Sequence, residues 1–303
     1  MSGDFAETAV SAHGLPGTYL RPAAPAKAAA LFISGSGPTD RDGNSVLGVR
    51  AGTLAKLARA LAAAGIASLR YDKRGLAGSL PVEGEHTLTL QTFVDDAALA
   101  LDWLREAAAG LPVAVIGHSE GGLIGLELAA RRPEIKRLVL LTTPGRPMAE
   151  TLAEQLHRFD EPLRGAALAI LAQLQEGECV ETVPEGLMPL FRPSVQPFLR
   201  SLFAIDPPAR LRALERPVLV VGGGRDMQVG RADFDRLAAV PGTETLWFDT
   251  MNHVLTAVAS EDQASNFATY ADPDVALAPG LGSATGSFLL SGPDRREQSP
   301  DGD

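Results

Sequence analysis

Six short runs of almost uninterrupted apolar residues recur along the chain, at 29–34, 66–71, 113–117, 137–142, 217–222 and 243–248. Between them lie stretches whose leucines and alanines fall at helical spacing. A strand covered on one face alternates apolar and polar residues, whereas one covered by helices on both faces reads as a continuous apolar run. In "TLAKLARALAAAG", between the first two runs, Leu54, Leu57 and Leu61 share one helical face, and Gly65 ends it. Phe93, Ala97, Leu101 and Leu104 make a second stripe between the next two. Strand and helix alternating in this way predict an α/β fold, a doubly wound and mainly parallel sheet.

The rhythm fails between Pro147 and Glu215. Helical patches at 150–159, 166–175 and 196–203 alternate there with proline-bearing turns and no convincing strand. About 70 residues is too long for a plain connection. The pattern predicts a helical cap at 147–215, inserted into a core built from 1–146 and 216–291. Its apolar residues Met148, Leu156, Phe159, Leu163, Met188, Leu190, Phe191, Phe198 and Phe203 exceed what three short helices need. Part of that bulk should line a cavity. Residues 8–20, around "GLPG", read as an N-terminal hairpin. The tail 292–303, "GPDRREQSPDGD", is polar and proline-bearing, and disorder is expected there.

Charge and composition narrow the partners. The 303 residues carry a net charge of −10 with no basic run, which argues against nucleic acid or an anionic membrane surface. Cys179 is the one cysteine, so no intrachain disulfide can form and a reducing compartment fits. The start, "MSGDFAETAV", lacks a basic segment followed by an apolar core, so no signal peptide is expected. No apolar run reaches the roughly 18 residues of a membrane helix. A cytoplasmic protein acting on a small molecule is the expectation.

One junction stands out. "VAVIGHSEGGLIGLELAARR", residues 113–132, breaks from a strand at glycine and resumes as a helix. Gly117-His118-Ser119-Glu120-Gly121 matches G-x-S-x-G, a weak pattern alone in a chain with 31 glycines. Strand before and helix after are what give it weight. A nucleophile at such an elbow sits in a strained backbone, where side chains two residues either side would collide. Gly122 lets the new helix approach the sheet. The amide of Glu120, at the helix start, points where an oxyanion would form.

A serine hydroxyl needs a base, and the base needs an orienting group. Of the five histidines, His13 and His86 fall in a hairpin and a loop, and His157 in the cap. His118 sits on the elbow itself, its side chain diverging from that of Ser119. His253, in "LWFDTMNHVL", follows the last run at the carboxyl edge of the sheet, where ligands bind in such folds. For the acid, "PVLVVGGGRDMQV" offers Asp226 just after a strand, with Asp249 as its rival. Asp226 is favoured because a neighbouring loop presents a carboxylate side-on to an imidazole more easily. "LFISGSGPTDRDGN" lacks G-x-G-x-x-G and G-K-[ST], so a phosphate loop fits poorly. In a hydrolase the amide of Ser36 would complete an oxyanion hole with that of Glu120.

With Ser119, Asp226 and His253 in that chain order, an elbow in its strand–helix context and an inserted cap, residues 8–291 resemble the α/β-hydrolase superfamily. Within it, "SGSGPTDRDGN", "RYDKRGLAGS" and "GHSEGG" are similar to bacterial esterases of the serine aminopeptidase-like group. "SGSG" stands where many members have His-Gly-x-Gly. "YDKRGLAGS" corresponds to a D-x-R-G-x-G-x-S turn, read as structural. "PGLGSATGSFLL" is similar to the closing helix, although its glycines make it a poor helix former. The resemblance implies cofactor-free acyl transfer through an acyl-enzyme, with carboxylic esters of short to medium acyl chains as first choice. Thioesterase and aminopeptidase chemistry use the same frame. A non-catalytic small-ligand-binding protein is the reading from another class. The oligomeric state is not implied by any of these features.

Overall fold

The computed structural model describes residues 5–292 apart from 77, 81 and 158. The strands are β1 (Phe5–Ala12), β2 (Leu15–Pro22), β3 (Ala28–Ile33), β4 (Ile66–Tyr71), β5 (Val113–His118), β6 (Ile135–Leu141), β7 (Val218–Gly223) and β8 (Thr243–Phe248). They form one sheet in the order β1-β2-β4-β3-β5-β6-β7-β8. Pairing is parallel from β4 across to β8, and antiparallel where β2 meets β1 and β4. The chain winds outward from β3 to β4, then crosses back to β5. Loops after β3 and β5 therefore diverge at the switch point, where open α/β sheets leave a crevice.

Helices α1 (Thr53–Ala63), α2 (Leu90–Ala107) and α3 (Glu120–Arg131) connect the first parallel strands. Successive residues of a strand point to opposite faces, and the core divides accordingly. Ala29, Leu31 and Ile33 join Val115, Leu138 and Leu140 in a cluster with α2 and α3 residues. Ala28, Ala30 and Phe32 join Ile116, Val139 and Leu141 against Leu54, Leu57 and Leu61 of α1. Removing one such leucine to alanine costs about 2–5 kcal/mol. β8 departs from the fully apolar expectation: Glu244 and Thr245 are exposed, because β8 pairs on one side only and forms the sheet's edge.

Between β6 and β7 lie α4 (Met148–Leu156), α5 (Leu163–Gln175), α6 (Met188–Phe191), α7 (Gln196–Phe203) and α8 (Pro207–Arg212), with no strand among the described residues. This stretch has a core of its own, made by Leu156, Ile170, Leu171, Leu174, Leu187 and Phe191. Its entry is pinned by the fully buried Asp233, whose Oδ1 accepts from the amides of Gly145 (3.1 Å) and Arg146 (3.0 Å). The Arg146 guanidinium closes on Oδ2 at 2.9 Å. Over α2, Ser201 Oγ accepts from the Leu90 amide at 2.8 Å, and Phe198 meets Phe93 edge-on.

The remaining helices are α9 (Arg231–Ala238), α10 (Gln263–Ala271) and α11 (Leu281–Leu290). α11 is helical despite its glycines. A Cβ at Gly282 would lie 2.7 Å from that of Ala60, so the glycine is what lets α11 lie against α1. Packing overrides propensity here. The N-terminal hairpin turns at His13–Gly14, both with positive φ, so the turn takes in the first residue of "GLPG" and the hairpin spans residues 5–22. The tail 292–303 lies, except for Gly292, outside the described residues. None of the described helices is long and apolar enough to cross a membrane.

Candidate active site

Ser119 sits between β5 and α3 with φ 54° and ψ −123°. This region strains any residue with a Cβ, at a cost of order 1–3 kcal/mol. The surroundings impose it: the Ser119 amide donates to the Leu141 carbonyl at 2.9 Å, and its own carbonyl accepts from the Gly122 amide at 2.9 Å. The turn is also closed to side chains. A Cβ on Gly117 would lie 2.3 Å from the Gly121 carbonyl oxygen, and one on Gly121 2.3 Å from that of Ile33. A Cβ on Gly122 would lie 2.0 Å from Thr143 Oγ1. Glycine is therefore a steric requirement at each.

His253 is buried, and its Nδ1 lies 2.8 Å from Oδ2 of Asp226, whose side chain is fully buried. Oδ1 of the same carboxylate accepts from the amides of Gln228 and Val229, each at 2.8 Å. All the aspartate's near contacts are donors, and an acceptor-only carboxylate suits them. The imidazole therefore donates from Nδ1 and leaves Nε2 as its basic nitrogen. Asp249 is exposed and lies in the turn after β8. "GGG" at the end of β7 brings the two loops together: a Cβ on Gly223 would lie 2.2 Å from the Met251 carbonyl oxygen, and one on Gly224 2.4 Å from that of Asp249. The Arg225 amide then donates to Met251 at 2.9 Å.

Ser36 is exposed in the loop after β3, which lies against the elbow: a Cβ on Gly35 would be 3.4 Å from that of Ser119. Glu120 opens α3, so its amide is among the first four that have no acceptor within the helix. Its side chain is buried beside Lys73, with Nζ 4.0 Å from Oε1. Burial pushes the Glu120 carboxyl above the usual range and the Lys73 ammonium below its own, each opposed by the other's charge.

Both residues line a cleft of about 550 Å³ between core and insertion. Its apolar wall comes from Leu76, Val82, Leu88 and Phe93 of the core, joined by Val195 and Phe198 of the insertion. Part of the stretch's apolar bulk was expected to line a cavity, and little of it does so here. Of the nine residues named for it, Phe198 alone lines this cleft. Leu156 and Phe191 are spent on the insertion's own core, while Met188 and Leu190 are exposed. Among the described residues, no group of three His, Cys, Asp or Glu could hold a metal ion.

Sequence reasoning missed several residues around the site. His118 packs against His253, ring centroids 5.0 Å apart, and its Nε2 lies 2.8 Å from the His253 carbonyl oxygen. A carbonyl only accepts, so Nε2 carries the proton. Lys73, in the turn after β4, was passed over because the turn around it looked structural. Buried Asn252 and Asn266 tie the loops from below: Asn266 Nδ2 donates to the Arg225 carbonyl at 2.7 Å, and Asn252 Nδ2 to Asn266 Oδ1 at 3.2 Å. Adjacency to His253 is the one local signal that points to Asn252, and nothing local marks Asn266.

Burial first, then the charge of neighbouring His253, push the His118 pKa from 6.5 down to about 4. Between those values the unfolded chain binds more protons than the folded one. Stability is therefore full above the unfolded value and is lost as pH falls through the window. One such group can contribute a slope of at most about 1.4 kcal/mol per pH unit. Urea unfolding from pH 7 to pH 4.5 is expected to show a shallower decline in His118→Gln than in the wild type. Parallel declines would remove His118 from this account.

The geometry can be set beside known proteins. Residues 47–175 match the family described as serine aminopeptidase, S33. The chain is 29% identical over 262 residues to the esterase EstD of Thermotoga maritima, an alignment covering 83% of this chain and 60% of EstD. The chain thus spans about 60% of that relative's length. Among solved structures, the Pyrococcus furiosus esterase Pf2001 aligns with a TM-score of 0.57 at 16% identity, over 95% of this chain and 90% of that one. The esterase domain of a Rhodothermus marinus protein aligns at 0.55 and 20% identity, over 94% and 97%. The chain thus has the α/β-hydrolase fold, and its sequence is similar to that of an esterase.

Proposed function

We propose that this protein is a serine hydrolase that cleaves carboxylic esters through an acyl-enzyme, with Ser119 as nucleophile, His253 as general base and then acid, and Asp226 as the group that orients His253. The observation that carries the reading is the pairing of two costly features at one sheet edge. A non-glycine residue is held at positive φ on the elbow, and a buried carboxylate is committed to a buried imidazole. Either alone has a structural explanation; together they supply what nucleophilic acyl transfer needs. The esterase relatives favour ester bonds over other acyl bonds.

In this mechanism His253 Nε2 takes the hydroxyl proton as Ser119 Oγ attacks the ester carbonyl. The amides of Glu120 and Ser36 meet the oxyanion, and the field of the α3 N-terminus adds to them. Asp226 stabilises the imidazolium without taking its proton. Collapse of the tetrahedral intermediate breaks the C–O bond, and His253 returns the proton to the departing alcohol. Water then repeats the sequence on the acyl-enzyme and frees Ser119.

An aminopeptidase would need an acid free to meet a substrate ammonium. In the cleft Glu85 is bound by Arg192 and Ser194, and at Glu120 the neighbouring Lys73 ammonium would repel a substrate ammonium. This arrangement favours neutral esters.

On purified protein, p-nitrophenyl esters of two to eight acyl carbons are expected to outrun acyl-CoAs and aminoacyl anilides in kcat/KM. Rates should fall on longer chains, without a jump at an emulsion surface, because a cleft of about 550 Å³ beside the elbow has room for a short acyl group and not for a long one. Best activity on emulsified long-chain triglyceride would point to a lipase instead.

Asp226→Asn turns an acceptor towards Nδ1–H into a competing donor, and should lower kcat about 10³–10⁴-fold. Asp249→Asn, at an exposed position, should change it less than twofold. A reversed order in steady-state kinetics would move the orienting role to Asp249.

A further inference from the structure

The cleft has a charged floor that the proposed mechanism leaves unused. Lys73 and Glu120, 4% and 6% exposed, face it from the turn after β4 and the start of α3, beside the apolar wall of Leu76, Val82, Leu88 and Phe93. Lys73 Nζ is fixed: it donates to the Gly35 carbonyl at 2.5 Å and lies 5.8 Å from the centre of the Phe93 ring. Its 4.0 Å separation from Glu120 Oε1 is too long for a hydrogen bond. Among the described residues Lys73 is the one charged group acting on the Glu120 carboxylate, which has no hydrogen-bond donor of its own. The cleft's other cations are engaged elsewhere, Arg74 with Asp96 and Arg192 with Glu85.

The chemistry of the pair selects its ligand. An anionic group would be repelled by Glu120, and an ammonium by Lys73. A methyl group would satisfy neither buried charge. A hydroxyl accepts from Lys73 and donates to Glu120 at once, and an oxygen about 2.8 Å from each closes a triangle over the gap between them. The spot also lies near the reaction centre. Glu120 supplies an elbow amide through its own backbone, and Lys73 grips the carbonyl next to Ser36. We infer that Lys73 and Glu120 form a specificity subsite for a hydroxyl carried a few bonds from the scissile carbonyl, which makes hydroxylated esters the preferred substrates. The inference rests on the esterase reading.

The test is pH-stat hydrolysis of ethyl butyrate, ethyl 3-hydroxybutyrate and 2-hydroxyethyl butyrate. The second and third place a hydroxyl on the acyl and alcohol sides. A site built to bond a substrate hydroxyl discriminates strongly against the analogue lacking it. One hydroxylated ester is expected to exceed ethyl butyrate at least about tenfold in kcat/KM. The Lys73→Met/Glu120→Gln double variant, which leaves no lone buried charge, should bring that ratio to about one whatever its absolute rate. Should the variant not fold, the wild-type ratio decides. Turnover of all three esters at similar kcat/KM, or a ratio the double variant keeps, overturns the subsite while the esterase reading stands. No turnover of any ester overturns both.

Discussion

The β5–α3 elbow depends on backbones approaching more closely than side chains allow, and much of the molecule follows from that contact. Gly121 brings α3 against the carbonyls of Ile33 and Ser34 at the end of β3, while Gly122 admits Thr143 from beyond β6. The helix start is thereby wedged between the two strand ends where the sheet's winding reverses. Ser119 has no relaxed conformation left to it. The strain is modest beside the burial energy of the surrounding strands, where Ile33, Val115, Ile116 and Leu140 are fully buried.

The loops that carry Asp226 and His253 are assembled by the same device. Consecutive glycines at the end of β7 let one loop lie on the carbonyls of the other, and backbone bonds from Gly224 and Arg225 fix their register. Asn266 of α10 cross-links them, donating to the Arg225 carbonyl and accepting from Asn252 of the histidine loop, and His118 reaches over from the elbow to the His253 carbonyl. His118 therefore couples the serine-bearing turn to the histidine-bearing one. A protonated His118 would place a second positive charge beside an imidazolium, and burial keeps it neutral.

The parallel strands were legible because burial on both faces leaves an uninterrupted apolar run. β8 was misjudged in character because an edge strand is covered on one side of its ladder only. The strandless stretch after β6 showed itself by length. Ser119, Asp226 and His253 could be singled out because each follows a strand end. Which aspartate reaches the imidazole depends on the path of two loops, and periodicity does not encode that. Contacts between distant segments were invisible for the same reason. Gly282 reads as a helix breaker until Ala60 is placed against it. The cleft wall was sought in the insertion, although Leu76, Val82, Leu88 and Phe93 precede it by many residues. Lys73 gave no local signal that its ammonium would end beside Glu120.

The central claim is that Ser119 is an activated nucleophile. A fluorophosphonate reacts with a serine only when a base and an oxyanion site assist it. Treating the native protein with such a reagent and mapping the adduct by mass spectrometry tests this directly. The account predicts one adduct per chain, on Ser119, lost in Ser119→Ala and after urea denaturation. A native protein that stays unmodified, or carries the adduct on another residue, would contradict it.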